Sequence, residues 1–179
     1  VSADINTGRG FSVAAAAALG QYYYSSRPRV TATVDNSDTT IVSNELLYIK
    51  DLRVSGSPQT AYSLSINYRS PKFWFLNFSL NYFDNIYLNY GAARRTISAL
   101  DAVDKDSPLW NEILGQKKYG NFITLDASAG WSWKMNNKFK SLKKNTFLVF
   151  NLGITNITDN QDIVSGGWEQ PRFSASGMY

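Results

Sequence analysis

Four long stretches of this chain alternate apolar and polar residues, and their apolar half carries no charge. Tyr62, Leu64, Ile66 and Tyr68 alternate with Ser63, Ser65 and Asn67. Trp74, Leu76, Phe78, Leu80 and Tyr82 alternate with Asn77, Ser79 and Asn81. Ile123, Leu125, Ala127, Ala129, Trp131 and Trp133 alternate with Thr124, Asp126, Ser128, Gly130 and Ser132, and Leu148, Phe150, Leu152 and Ile154 with Asn151, Gly153 and Thr155. A period of two puts each apolar set on one face of a strand. Strands are therefore predicted over 61–69, 73–90, 122–134 and 146–156. A fifth is read over 11–24: Ala14 to Ala18 suit a helix by propensity, but no N-cap box precedes them and Tyr22-Tyr23-Tyr24 favour a strand. Val1, Ala3 and Ile5 read as the tail of a sixth.

The connections alternate in length. Asn6 to Gly10 is a tight turn, 25–60 is long and polar, Arg69-Ser70-Pro71-Lys72 is tight with Pro71 fixing φ, 91–120 is long, and 134–145 is intermediate and lysine-rich. Successive connections of an antiparallel meander fall at opposite ends, so short turns collect at one end and long loops at the other. Outer-membrane barrels have that layout; a soluble sandwich has no physical reason to adopt it.

The faces point the same way. Water-facing strand surfaces normally carry Lys, Glu and Thr, whereas the polar sets here are small and uncharged but for Asp126. Charged residues make up 18% of the chain, below the usual quarter or so, and aromatics 15%. A charge on the lipid face of a barrel costs about 2–4 kcal/mol at the midplane. Tyr68 and Trp74 flank the RSPK turn and Trp131 and Trp133 precede the lysine turn, as rings at headgroup level would. The lipid-facing and girdle set is thus Tyr68, Trp74, Leu76, Phe78, Leu80, Tyr82, Trp131 and Trp133. A spanning sheet has to close, and six strands fall below the usual eight or so. The expected fold is therefore all-β: an antiparallel transmembrane β-barrel segment of about six strands belonging to a larger barrel.

Much chemistry is excluded. The chain has no cysteine and no histidine, which removes disulfides, thiolate or imidazole metal sites and His-based triads. No apolar run is long enough for a transmembrane helix, and Val1 opens no signal-peptide pattern. The net charge of +4 comes largely from Lys134, Lys138, Lys140, Lys143 and Lys144, which bunch as in a solvated turn rather than along an aromatic-interleaved nucleic-acid face. Neither a phosphate loop nor a carboxylate pair is present. No enzyme and no cofactor is expected.

Three stretches carry a resemblance: NYFDNIYLNYGAARRT (81–96), LGITNITDNQD (152–162) and SGGWEQPRF (165–173). Together and in order they resemble the C-terminal barrel of TonB-dependent receptors of the Bacteroidetes type, with Asn156-Ile157-Thr158-Asp159-Asn160 in the place of that family's strand-end motif. The resemblance implies a 22-stranded barrel with short periplasmic turns and long extracellular loops in the bacterial outer membrane. It also implies energy-coupled import of a bulky nutrient (glycan, peptide or metal chelate). The implied partners are outer-membrane lipid, the rest of the barrel and its plug, the TonB complex engaged through an N-terminal segment outside this sequence, and a surface lipoprotein. Residues 1–179 are then one partial domain, the C-terminal part of the barrel without the plug or the complete final strand.

On that reading function lives in the long loops. Trp110, Tyr119 and Trp168 could stack on sugar rings, and Arg94 and Arg95 could hold an anion; each could equally pack loop against loop. Asp101, Asp104 and Asp106 have oxygen-ligand spacing for Ca²⁺ without the glycine-centred loop of a known motif, and a solvated acidic loop explains them as well. Asn156-Ile157-Thr158 matches a glycosylation acceptor pattern but also a strand-end turn. Two rivals stay open. One is a soluble β-sandwich carbohydrate-binding module with Trp131, Trp133 and Trp168 as its platform; the other is a small passive porin-like barrel.

Overall fold

The computed structural model describes residues 1–35, 38–141 and 144–161. The chain is all-β and forms two compact units. The first, 1–19 with 60–84 and 121–161 of the described residues, is a six-stranded antiparallel sheet. Its strands are β1 (Ser2–Gly8), β2 (Phe11–Leu19), β5 (Thr60–Arg69), β6 (Trp74–Asp84), β7 (Phe122–Lys134) and β8 (Phe147–Ile154), paired in the order β1-β2-β5-β6-β7-β8. The sheet is open, with β1 and β8 at its edges.

Register follows the alternation. Directly paired residues share a face, so Phe11, Tyr68, Leu76, Ala129 and Leu152 form one row, and Val13, Ile66, Phe78, Ala127 and Ile154 the next. Ala15, Leu64, Leu80 and Leu125 follow, then Ala17, Tyr62, Tyr82 and Ile123. A one-residue slip would send all of these to the polar face. The polyalanine stretch is a strand, as read, because Ala15 and Ala17 lie opposite Leu64 and Tyr62, and cross-strand partners override its helix propensity.

The short connections are tight by chemistry. Arg9 and Gly10 turn between β1 and β2 with φ of 51° and 86°, the doubly positive geometry of a two-residue hairpin; a Cβ on Gly10 would overlap the Arg69 carbonyl. Between β5 and β6, the Phe73 N–H donates to the Ser70 carbonyl at 3.2 Å. The Ser70 Oγ accepts from the Lys72 N–H at 3.1 Å, and Phe73 takes a φ of 64°. Both long connections leave from the opposite end of the sheet, where Leu19, Thr60 and Asp84 lie in one row.

Two expected strands are shorter than read. β2 ends at Leu19, so Tyr22 to Tyr24 do not close it. β6 ends at Asp84 rather than Tyr90, because Asn85 turns the chain with a φ of 56°.

The second unit joins the two long connections, 20–59 and 85–120, into one body. It holds a hairpin of β3 (Arg29–Thr33) and β4 (Thr40–Leu46) and two short helices, α1 (Ile97–Leu100) and α2 (Pro108–Leu114). Thr96 caps α1 by accepting from the Ala99 N–H at 3.2 Å, and Ser107 caps α2 by accepting from the Trp110 N–H at 3.1 Å. Pro108 opens α2 where a missing N–H costs nothing. A bridge between Leu47 and Thr96 and a hydrogen bond from the Tyr48 N–H to the Arg95 carbonyl (2.8 Å) stitch the connections together. The buried apolar side chains of the described residues, Val42, Leu47, Ile49, Leu88, Leu100 and Tyr119, all belong to this unit.

Candidate functional site

The six-stranded sheet presents two chemically opposed faces. On one, the large apolar side chains are uncovered: Phe78 is 47% exposed, Ile66 46%, Leu64 42% and Ile154 51%. This face carries every residue of the expected lipid-facing set. Tyr68, Trp74 and Trp131 lie towards the short turns, with Trp133 beyond them opposite Leu148. Leu76, Phe78 and Leu80 lie in the middle, and Tyr82 at the far rim. Ring contacts run along the short-turn rim: Phe11 to Tyr68 at 4.5 Å, Tyr68 to Trp74 at 4.9 Å and Trp131 to Phe150 at 6.1 Å. At the opposite rim Tyr62 stacks on Tyr82 at 6.0 Å. At that rim Ala3, Ala15 and Ala17 leave an apolar trough of about 410 Å³ against Tyr62, Leu64, Leu80 and Tyr82.

The other face is a polar ladder. Ser63 donates to the Asn81 side-chain oxygen at 2.8 Å, and the Asn81 amide donates to an Asp126 carboxylate oxygen at 3.1 Å. The second Asp126 oxygen accepts the Asn156 backbone N–H at 2.8 Å. Ser65 and Ser79 hydroxyls meet at 2.7 Å. Asp126 thus spans from the ladder to the end of β8. Phe75 interrupts this face towards the short turns, as Phe83 and Phe122 do at its other end, and Gly130 opposite Phe75 accommodates the ring: a Cβ there would overlap Phe75 and meet the Asn151 side chain.

The stretch Asn156 to Asn160 is a locked turn. The Asn156 side chain accepts from the Asn160 N–H at 3.0 Å and donates to its carbonyl at 3.1 Å. Asn160 in turn donates to the Ile123 carbonyl at 2.7 Å, and the Ile157 N–H donates to Leu125 at 2.7 Å. Both asparagines pin this turn to β7. The amide that a glycosylation pattern would use is occupied in this turn.

No family model, curated protein or solved structure matches the chain.

In the second unit, the loop residues singled out in the sequence fall into different roles. Arg95 is only 5% exposed, and its guanidinium donates to the Leu114 and Gly115 carbonyls at 3.0 and 2.7 Å. It caps the C-terminus of α2 rather than presenting to an anion. Burial pushes it down to about 10, partly offset by Tyr90. Tyr119 is buried in the core of this unit and is no surface clamp. Trp110 is half-buried and meets Tyr48 edge-on at 5.6 Å, while the Arg27 guanidinium covers the Tyr48 ring at 4.8 Å. Arg94 ends a 3-10 turn immediately before Arg95. Of the expected ligand set, the structure keeps Trp110 near the surface and withdraws Arg95 and Tyr119. Trp168 lies outside the described residues, as does the 165–173 motif.

Asp101, Asp104 and Asp106 do not form a cation site. Among the described residues no three acidic side chains converge on a point that could hold a metal ion. Asp101 closes α1, and Asp106 turns the chain into α2 with a φ of 66°.

Two side chains that the sequence did not flag hold the connections together. Gln59, 5% exposed, accepts the Tyr22 N–H at 3.1 Å and donates to the Tyr22 and Val54 carbonyls. Gln116 accepts the Arg53 N–H at 2.7 Å and donates to the Arg53 and Leu88 carbonyls. Each amide completes a backbone pairing as a neighbouring strand would. Nothing in a one-dimensional pattern marks a glutamine for that task.

Proposed function

We propose that this chain is a stretch of outer-membrane β-barrel wall in a TonB-dependent receptor that imports a bulky nutrient. One observation carries the reading: a six-stranded meander exposes a continuous apolar face while its opposite face is a hydrogen-bonded polar ladder. In water such a face demands a covering layer. In a bilayer it is the outside of a wall, and the polar ladder lines a hydrated lumen. From the Trp74 row to the Tyr82 row the strand runs about 27 Å, or about 20 Å of height at the tilt of a barrel. Aromatic rings mark both rims, as at membrane interfaces. The open edges at β1 and β8 are then pairing sites for the remaining strands, since no unpaired edge survives in hydrocarbon.

The transport role rests on the sequence resemblance of 81–96, 152–162 and 165–173 taken together. This segment supplies wall and connections, and gated passage belongs to the assembled receptor with its plug. The sandwich alternative is disfavoured by the same exposed face, because Trp131 and Ile66 would sit in water with nothing over them.

The test uses the full-length protein that carries this chain. It is expected to need detergent or lipid, to show heat-modifiable gel migration, and to support uptake that stops when TonB is deleted. A monomer that folds and stays in the aqueous phase without detergent would sink the wall reading. TonB-independent uptake would remove the receptor and leave a passive barrel.

A further inference from the structure

We infer that the short-turn end of the sheet is a docking collar for anionic phospholipid headgroups, an inference that rests on the wall reading above. The three connections at this end, 9–10, 70–73 and 135–146, contain six of the chain's 18 lysines and arginines and none of its 14 aspartates and glutamates, and Arg69 and Lys134 end the strands beside them. The long connections, 20–59 and 85–120, mix nine cations with eight acids. A turn that needs only solvation takes either sign or none, as Ser, Asn and Gly would serve. Concentrating one sign at one end raises self-repulsion unless a counter-charge is at hand.

The cations also occur in a fixed order relative to the aromatic rim. Arg69 follows Tyr68, Lys72 lies two residues before Trp74, and Lys134 follows Trp133. Phe73 and Phe147 add a ring pair at 6.1 Å beside these positions. Arg9, Arg69, Lys72, Lys138, Lys140 and Lys144 are exposed. Along each hairpin the surface therefore passes from aliphatic to aromatic to cationic. A phospholipid leaflet passes through the complementary layers, from acyl chains to carbonyl and glycerol to phosphate. The rings sit at headgroup level, and ammonium and guanidinium donors beyond them meet phosphate oxygens with charge-assisted hydrogen bonds. The leaflet concerned is the one on the short-turn, periplasmic side.

The experiment compares three forms of the full-length protein in equimolar phosphatidylcholine and phosphatidylglycerol nanodiscs. The forms are wild type, K138Q/K140Q/K144Q, and K50Q/K105Q/K117Q, which removes the same charge from the long connections. Native mass spectrometry counts the lipids retained after transfer to detergent, and heat-shifted gel mobility reports barrel formation separately. Wild type and the long-connection variant are expected to retain phosphatidylglycerol preferentially. The turn variant is expected to lose that preference by about threefold or more, as is wild type in high salt. Unchanged retention in the turn variant, or equal loss in both variants, overturns the collar and leaves the wall intact. Failure of every form to enter the nanodiscs removes the wall reading and the collar with it.

Discussion

Phe78 offers the sharpest test of which solvent the apolar face meets. It sits in the row Val13–Ile66–Phe78–Ala127–Ile154, two rows from the Trp74 rim and two from the Tyr82 rim. Its ring is 47% exposed, so truncation to alanine removes only part of a packed side chain, and Phe78→Lys shares that loss. The difference between the Lys and Ala variants therefore isolates the charge. At the midplane of a bilayer that difference is about 2–4 kcal/mol, or roughly 30- to 900-fold in the folding equilibrium. In water, the same pair at a half-exposed strand position should agree within about 0.5 kcal/mol. The companion pair is Tyr82→Lys and Tyr82→Ala at the rim, where the expected difference is about 0–1 kcal/mol. Urea unfolding of the full-length protein in zwitterionic liposomes, followed by heat-shifted gel mobility, reads all four. Equal stability of the two Phe78 variants, or a larger split at Tyr82 than at Phe78, would refute the reasoning.

Three further outcomes follow from local geometry. Gly130→Ala should cost about 1–3 kcal/mol through overlap with Phe75, and Phe75→Ala in the same chain should return part of it in a double-mutant cycle. Arg95→Met removes two charge-assisted bonds to the end of α2, and at about 1.5–3 kcal/mol each the body formed by 20–59 and 85–120 should become protease-sensitive while the sheet stays resistant. Glu45 accepts from the Ser98 hydroxyl at 2.6 Å and its N–H at 2.9 Å, which holds its carboxyl below the ordinary 4.5. A depressed carboxyl contributes stability that is complete above its unfolded value and is lost as pH falls through the folded one. Wild type should therefore melt above Glu45→Gln at neutral pH and converge with it in acid; a pH-independent gap would contradict this.

The sheet was legible because its constraint is one-dimensional. A two-residue period in β5, β6, β7 and β8 fixes which residues share a face, and tight-turn chemistry at Gly8–Gly10 and Ser70–Phe73 fixes the pairing. The connections were opaque for the opposite reason. Their order comes from pairings distant in sequence, such as Leu47 with Thr96 and Gln116 with Arg53, and no local pattern announces these. Signals for α1 and α2 did exist in Thr96 and in Ser107-Pro108, a capping serine followed by an N1 proline, but the stretch read as one long loop. The same distant pairings explain why Arg95 and Tyr119 looked like ligand residues: the folded connections supply the carbonyls that Arg95 donates to and the core that buries Tyr119.

The distribution of buried residues gives the two units different physical rules. The second unit obeys those of a protein in water, with Ile49 and Leu100 inside and a buried guanidinium paired to carbonyls. The sheet inverts them, with Phe78 and Leu152 outside and Asn81 and Asp126 in a hydrogen-bonded row. Overall composition is blind to this, because 44% hydrophobic is ordinary for either environment. What distinguishes the environments is where charge is tolerated. On the apolar face of β5, β6, β7 and β8 the first charged position is Asp84, in the last row of β6. On the polar face Asp126 is accepted mid-strand because Asn81 and the Asn156 N–H satisfy both of its oxygens. A face that refuses every charge over its middle rows, beside one that admits a carboxylate given partners, is the pattern that the proposed wall between hydrocarbon and a wet lumen requires.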